Sequence, residues 1–440
     1  MSELKRELGL RDLTLFAIAC IVGSRWIAAA AHTGPGSVAL WLATAVLFVV
    51  PLTIAVASLS VKYPNAGGLY VWTRADFGPW HGFLCAWVYW MGLAVWFPSA
   101  AMFYMQAGLH ALGLPESRPW VLAAALGAIA VALGTNLVGM RIGKWTENLG
   151  GASTWALTVV FCALAWLIWN RRGAATHMNF LPTWNWGTVN FWSTIAYGMS
   201  GIELAGLMAA EVHDPRRTFP RVGWLAALCA TGFYASATIA LLVILPPERI
   251  SEMNGLAEAG DAAARVLGLI WLAPAIALLV TASGMGQIGG IGAAISRLPF
   301  AAGADGLLPK SFARVHPRWH TPHVSILTLA GVSSFLLLAM QLGDSMRSAY
   351  QELVSLMIIA GFLPYLYIFA SSWRLGNRVS AISGWAVVVL TIVCAVIPPA
   401  EITNVWLFEG KLALGTVAVI GSAWLLYRRR SEPRPSGSGG

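Results

Sequence analysis

The chain has 440 residues, of which 58% are hydrophobic and only 11% charged, with a mean hydropathy of +0.68. A soluble domain carries roughly a quarter charged residues, so the composition excludes one and reads as a polytopic membrane protein. The net charge of +9 does not mark a nucleic-acid partner, because the basic residues follow the loops between apolar runs.

Twelve runs approach or exceed the roughly 20 apolar residues that cross a bilayer. They lie at about 12–33, 37–61, 80–111, 119–138, 148–169, 189–211, 221–246, 263–296, 322–342, 348–373, 382–399 and 404–427. If both ends are cytoplasmic, 20 of the 28 Lys and Arg fall in inner segments and seven in outer ones, with Arg25 inside the membrane. That asymmetry predicts both termini inside the cell. The polar start, Met1 to Glu7, is not a cleavable signal. Of the outer connections, 171–188 is rich in Asn and Trp, and 247–262 is expected to form a short surface helix. Many tryptophans lie near run ends, among them Trp72, Trp80, Trp120, Trp145, Trp184, Trp186, Trp271, Trp319 and Trp406, as an interfacial belt requires. The five cysteines all fall in apolar runs and read as small core hydrophobes. The last residues, Ser436 to Gly440, look like an appended linker.

The first run contains Gly23-Ser24-Arg25, a glycine and a cation at membrane depth. The sixth contains Tyr197-Gly-Met-Ser-Gly201, with Glu203 two residues on. Freed backbone and charge are costly in lipid unless they line a site. Broken segments at corresponding places in two halves point to a transporter's binding site. Five runs per copy is an odd number, so the second copy enters the membrane inverted. The expected fold is an all-α integral membrane protein of twelve helices with a five-plus-five inverted repeat. Repeat one covers about 10–170, repeat two about 189–373 and two extra helices about 382–427, within a single domain 1–430 followed by a disordered tail, 431–440.

At the first break, unpaired amides and the Ser24 hydroxyl suit a carboxylate. At the second, the carbonyls exposed around Gly198, Ser200 and Gly201 suit an ammonium. Together they describe an α-amino acid; the alternative is that the glycines only let helices pack closely. Arg25 has three readings: an ion pair with Glu203, contact with an anionic substrate group, or extension to an open vestibule. Glu203 is a gating or proton-coupling candidate, or a cap on the freed backbone. Tyr197 and Trp192 precede the break, Tyr197 as a lid and Trp192 more as an interface anchor. Glu147 and Glu352, near run ends, read as solvated or helix-capping. The eight histidines lie in loops or toward run ends, with no spacing that forms a metal site.

Three further stretches carry a family resemblance. They are Pro64-Asn-Ala-Gly-Gly-Leu-Tyr-Val-Trp-Thr-Arg74 with Phe77-Gly-Pro and Gly82-Phe; Ser200-Gly-Ile-Glu-Leu-Ala-Gly with Ala210-Glu-Val-His-Asp-Pro-Arg-Arg-Thr-Phe-Pro220; and Ser296-Arg, Gly303-Ala-Asp-Gly-Leu-Leu-Pro-Lys-Ser-Phe-Ala-Arg-Val-His-Pro317 and Thr321-Pro322. Together they resemble the amino acid–polyamine–organocation (APC) transporters. The resemblance implies a substrate site between helices 1, 3, 6, 8 and 10, no cofactor, and coupling to protons, sodium or a counter-substrate. It matches Ser24 and its neighbouring amides to the carboxylate site, Tyr197 to an aromatic lid and Glu203 to the acidic residue after the second break. Two positions depart from the family. Arg25 stands where a glycine is usual, and 148–169 lacks the helix-5 lysine of some proton-coupled members, with Ser153 and Thr154 near its place. The expected function is secondary transport of amino acids across the inner membrane by alternating access. The alternatives are an exchanger of an acidic amino acid, amine or polyamine, and a membrane sensor that binds an amino acid without moving it. The expected partners are a small-molecule substrate and membrane lipid, not nucleic acid; the oligomeric state is left open.

Overall fold

The computed structural model describes residues 8–64, 67–182, 186–209, 212–339, 346–398 and 404–431, with side chains described except at 140–144, 147, 186–190, 346–349 and 430–431. The helices run in the order α1 Leu10–Ile21, α2 Arg25–His32, α3 Gly36–Thr44, α4 Val50–Lys62, α5 Leu69–Phe77, α6 Pro79–Ala111, α7 Arg118–Val138, α8 Met140–Arg172, α9 Trp186–Gly198, α10 Glu203–Leu207, α11 Pro215–Ile244, α12 Gly255–Leu267, α13 Leu272–Ile295, α14 Arg297–Ala304, α15 His323–Ala339, α16 Met346–Arg374, α17 Arg378–Val396 and α18 Val405–Ser431. A π-helical turn, Ala45–Val49, joins α3 and α4 into one run. Among the described residues there is no strand, only an isolated bridge between Leu8 and Val212.

Nine helices among the described residues are long and apolar enough to cross a membrane. They become ten when α1 and α2, bent by 45° at the Val22–Ser24 break, count as one. The expected runs are mainly helical where described, but the first, the sixth (α9 and α10) and the run 263–296 are each interrupted, and α15 is a shorter apolar helix of 17 residues. Burial sorts the helices by position. In its most apolar stretch α6 is 83% buried and α18 only 17%. α6 therefore forms the centre, packed on α5, α7, α13 and α16, while α18 lies at the edge.

Several expectations need correction. The run 263–296 is not one helix: α12 ends at Leu267, Gly268 adopts φ +73°, and α13 starts at Leu272. α12 is no surface helix either. It buries Leu256, Ala257, Ala259 and Ala263 and packs on α13, α2, α6 and α8. Trp72 is buried, with its ring over Gly206, so it is not an interfacial anchor. Trp120, Trp145, Trp271, Trp319 and Trp406 are exposed. Trp184 and the Trp186 side chain lie outside the described residues, as does the tail beyond 431.

Candidate functional site

Two helix interruptions meet at the centre of the fold. The first begins at Val22, whose backbone is extended (φ −80°, ψ 109°). Helical bonding resumes with Trp26 N–H on Gly23 O and Ile27 N–H on Ser24 O. The second follows Gly198. Gly201 adopts φ +124°, and a Cβ there would lie 2.9 Å from the Cys20 carbonyl oxygen. A Cβ on Gly198 would lie 3.0 Å from the Trp26 ring. Only glycine permits both that backbone and this approach of one break to the other.

Backbone freed in a buried place must find partners, and side chains supply them. The Gly23 N–H donates to the Tyr234 hydroxyl at 2.9 Å. That hydroxyl lies 2.8 Å from Ile21 O and 2.9 Å from Gly198 O. It has one proton, so it donates to one of these carbonyls at a time. Gln287 Nε2 donates to Val22 O at 3.1 Å, and Tyr104 donates to Gln287 Oε1 at 2.9 Å. In the second break the Ser200 hydroxyl donates to Tyr197 O at 2.7 Å. The Gly201 N–H donates to Glu203 Oε2 at 3.0 Å, and the Tyr89 hydroxyl donates to Glu203 Oε1 at 2.5 Å. Glu203 thus occupies the backbone-capping position, its two oxygens both engaged.

A cavity of about 30 Å³ lies between the breaks. It has room for about two waters. Tyr197, Gly198, Ser200, Gly201 and Glu203 line it together with Tyr89, Trp26 and Trp96. Gly23, Ser24 and Arg25 are not on its wall. Ser24 is fully buried. The Tyr197 ring stands edge-on to Trp26, centroids 5.8 Å apart, and against Phe362 at 6.0 Å.

Arg25 is 1% exposed and does not pair with Glu203. Its Nη1 donates to Ser99 Oγ at 2.9 Å and its Nη2 to Met357 Sδ at 3.4 Å. The guanidinium lies 4.0 Å from the Trp26 ring centroid and 5.3 Å from that of Trp96. At the start of α2 the side chain runs toward α6 and α16, while Glu203 at the start of α10 turns back onto Gly201. That divergence removes the ion pair. Glu352 is also not solvated: it is buried, and Lys411 Nζ contacts its oxygens at 2.9 and 2.8 Å. The Glu147 side chain lies outside the described residues. Trp192 is buried. In α8, Ser153 and Thr154 are buried, and Thr154 Oγ1 shares a 2.6 Å hydrogen bond with Ser283 Oγ. Among the described residues no three His, Cys, Asp or Glu side chains are placed to hold a metal.

Sequence reasoning missed Tyr89, Tyr104, Tyr234 and Gln287. Their signal was present, since a hydroxyl or amide inside an apolar run must find a partner. On another face, two of the resembling stretches meet: Asp305 Oδ2 accepts from Tyr70 at 2.6 Å and pairs with Arg74.

A family model described as "Amino acid permease" matches residues 8–417. An uncharacterized transporter of Legionella pneumophila is 25% identical over 98% of this chain and 99% of its own length. The Lactococcus lactis protein named "Probable agmatine/putrescine antiporter AguD" is 22% identical over 85% of this chain and 81% of its own. The serine/threonine exchanger SteT of Bacillus subtilis is 26% identical over 73% of this chain and 74% of its own.

Proposed function

Because the chain belongs to the amino acid permease family of the APC superfamily, and is a multi-pass membrane transporter rather than an enzyme, we propose that it exchanges amino acids across the cytoplasmic membrane by alternating access. The proposed frame is twelve spans, with a five-plus-five inverted repeat and both termini cytoplasmic. The observation that carries this reading is a cavity between two helix breaks, both within hydrogen-bond reach of the Tyr234 hydroxyl. In it the carbonyls around Gly198 and Gly201 receive the ammonium, while the amides at the start of α2 and Ser24, buried behind the present wall, receive the substrate carboxylate once the wall opens. Tyr197 closes over the bound molecule. Glu203 links occupancy to the gate through Tyr89 and Gly201. Exchange is favoured over uptake because two relatives are named as an antiporter and an exchanger.

Counterflow tests the proposal. Liposomes holding the purified protein and an unlabelled amino acid are diluted into the same amino acid in labelled form. An exchanger accumulates label well beyond the amount of protein present. Saturable binding with no accumulation for any of the twenty amino acids, agmatine or putrescine would convert the reading to a sensor.

A further inference from the structure

Among the described residues Arg25 is the one buried cation beside the cavity, and it forms no ion pair there. Arg25 is 1% exposed, and its two hydrogen-bond acceptors, a serine hydroxyl and a thioether, are both neutral. Its Nε–H has no acceptor at all. Among the described residues no carboxylate approaches it within 4.0 Å. Glu203, the acidic residue at the other break, has both oxygens engaged elsewhere. A buried charge without an opposite charge is strongly disfavoured. The Trp26 and Trp96 faces offset part of that, but neither ring carries a negative charge.

Placement indicates what would supply it. Trp26 and Trp96, the two rings in contact with the guanidinium, both line the cavity. One ring therefore separates the cation from the space the substrate must enter. That space, about 30 Å³, is too small for any amino acid. Admitting one requires the wall to move, and movement of Trp26 or Trp96 uncovers Arg25. A neutral amino acid brings one carboxylate, which the transport reading above assigns to the α2 amides and Ser24. Among the described residues a second carboxylate has no other buried cation to meet at this site. The planar fork of Arg25 suits it, because two parallel charge-assisted bonds would replace the weak contacts to Ser99 and Met357.

We infer that Arg25 receives an anionic side-chain group of the transported substrate, and that acidic amino acids are the favoured cargo. The inference rests on the transport reading above and names the substrate class of that same site.

The test compares counterflow of labelled L-glutamate and L-glutamine, which match in shape and differ in charge, in wild type, Arg25→Gln and Arg25→Lys. Wild type is expected to favour glutamate by about tenfold or more, since a site built for a polar group rejects the analogue that cannot pair with it. Arg25→Gln should bring the ratio to about one or below, and Arg25→Lys should retain part of it. A second reading needs no variant: glutamate should raise the thermal midpoint of the wild type, and glutamine at the same concentration should not. A wild-type ratio near one, or a wild-type ratio preserved in Arg25→Gln, overturns the inference. Serine or glutamine exchange without glutamate exchange overturns it while leaving amino acid transport standing. No exchange of any amino acid sinks both. Serine counterflow that changes when chloride replaces gluconate, with no glutamate preference, assigns Arg25 to an inorganic anion and also overturns it.

Discussion

The Tyr234 hydroxyl accepts from the Gly23 N–H and has its one proton between Ile21 O of the first break and Gly198 O of the second, so it touches both. Tyr234→Phe leaves the Gly23 N–H and one carbonyl, Ile21 or Gly198, without that partner. An unsatisfied buried polar group costs about 1–3 kcal/mol. The variant should show a lower thermal midpoint and slower counterflow; an unchanged midpoint would mean another group holds the breaks together. Glu116, in the loop after α6, gives a pH-dependent counterpart. Burial alone would raise its pKa, but hydrogen bonds from His110, Asn254 and Gln106 hold it below the usual glutamate value. His110 also reaches Asp261 of α12 at 3.1 Å, so the cluster ties the end of α6 to α12. A depressed carboxylate contributes stability that is complete above the ordinary value, about 4.3, and is lost as pH falls through the lowered one. Glu116→Gln should therefore melt below wild type at neutral pH, and the gap should close in acid. A gap that failed to close as pH fell below the ordinary glutamate value, about 4.3, would contradict the lowered Glu116 value and reject the cluster as a latch. At this scale residue types were legible in the sequence and directions were not. Arg25 and Glu203 were evident as opposite charges at two breaks. Which way each side chain leaves its helix depends on neighbours hundreds of residues away, such as Met357.

Helix interruptions were the most legible elements, because Gly198, Gly201 and Gly23 stand beside charge in otherwise apolar runs. Gly201 is the one to test. Its φ of +124° and the 2.9 Å approach to Cys20 O both oppose a side chain. Gly201→Ala should destabilise by about 1–3 kcal/mol from backbone strain alone, read as a lower thermal midpoint and weaker substrate-induced stabilisation. A midpoint at the wild-type value would show that the break relaxes freely. The run 263–296 failed for a physical reason. Its hydropathy is continuous, yet Gly268 ends α12 in the left-handed conformation common just past a helix end. α12 then folds its alanine-rich face onto α13 and α2, where hydropathy cannot distinguish helix–helix burial from lipid contact.

For the whole molecule, composition was enough to identify a helical membrane protein, and three stretches were enough to indicate the family. Burial order was not legible: α6 and α18 have equal windowed hydropathy, 1.4, yet α6 is central and α18 peripheral. Packing partners decide that, and hydropathy does not encode them. The central claim is that one cavity between the two breaks serves both sides of the membrane. Ser200 lines that cavity and is partly exposed. In a background lacking the five native cysteines, Ser200→Cys should react with a membrane-impermeant thiol reagent from the outside in right-side-out vesicles and from the inside in inverted ones. In both, the amino acid that drives counterflow should protect it. Reaction from one side alone, with no protection by that amino acid, would contradict alternating access through this site.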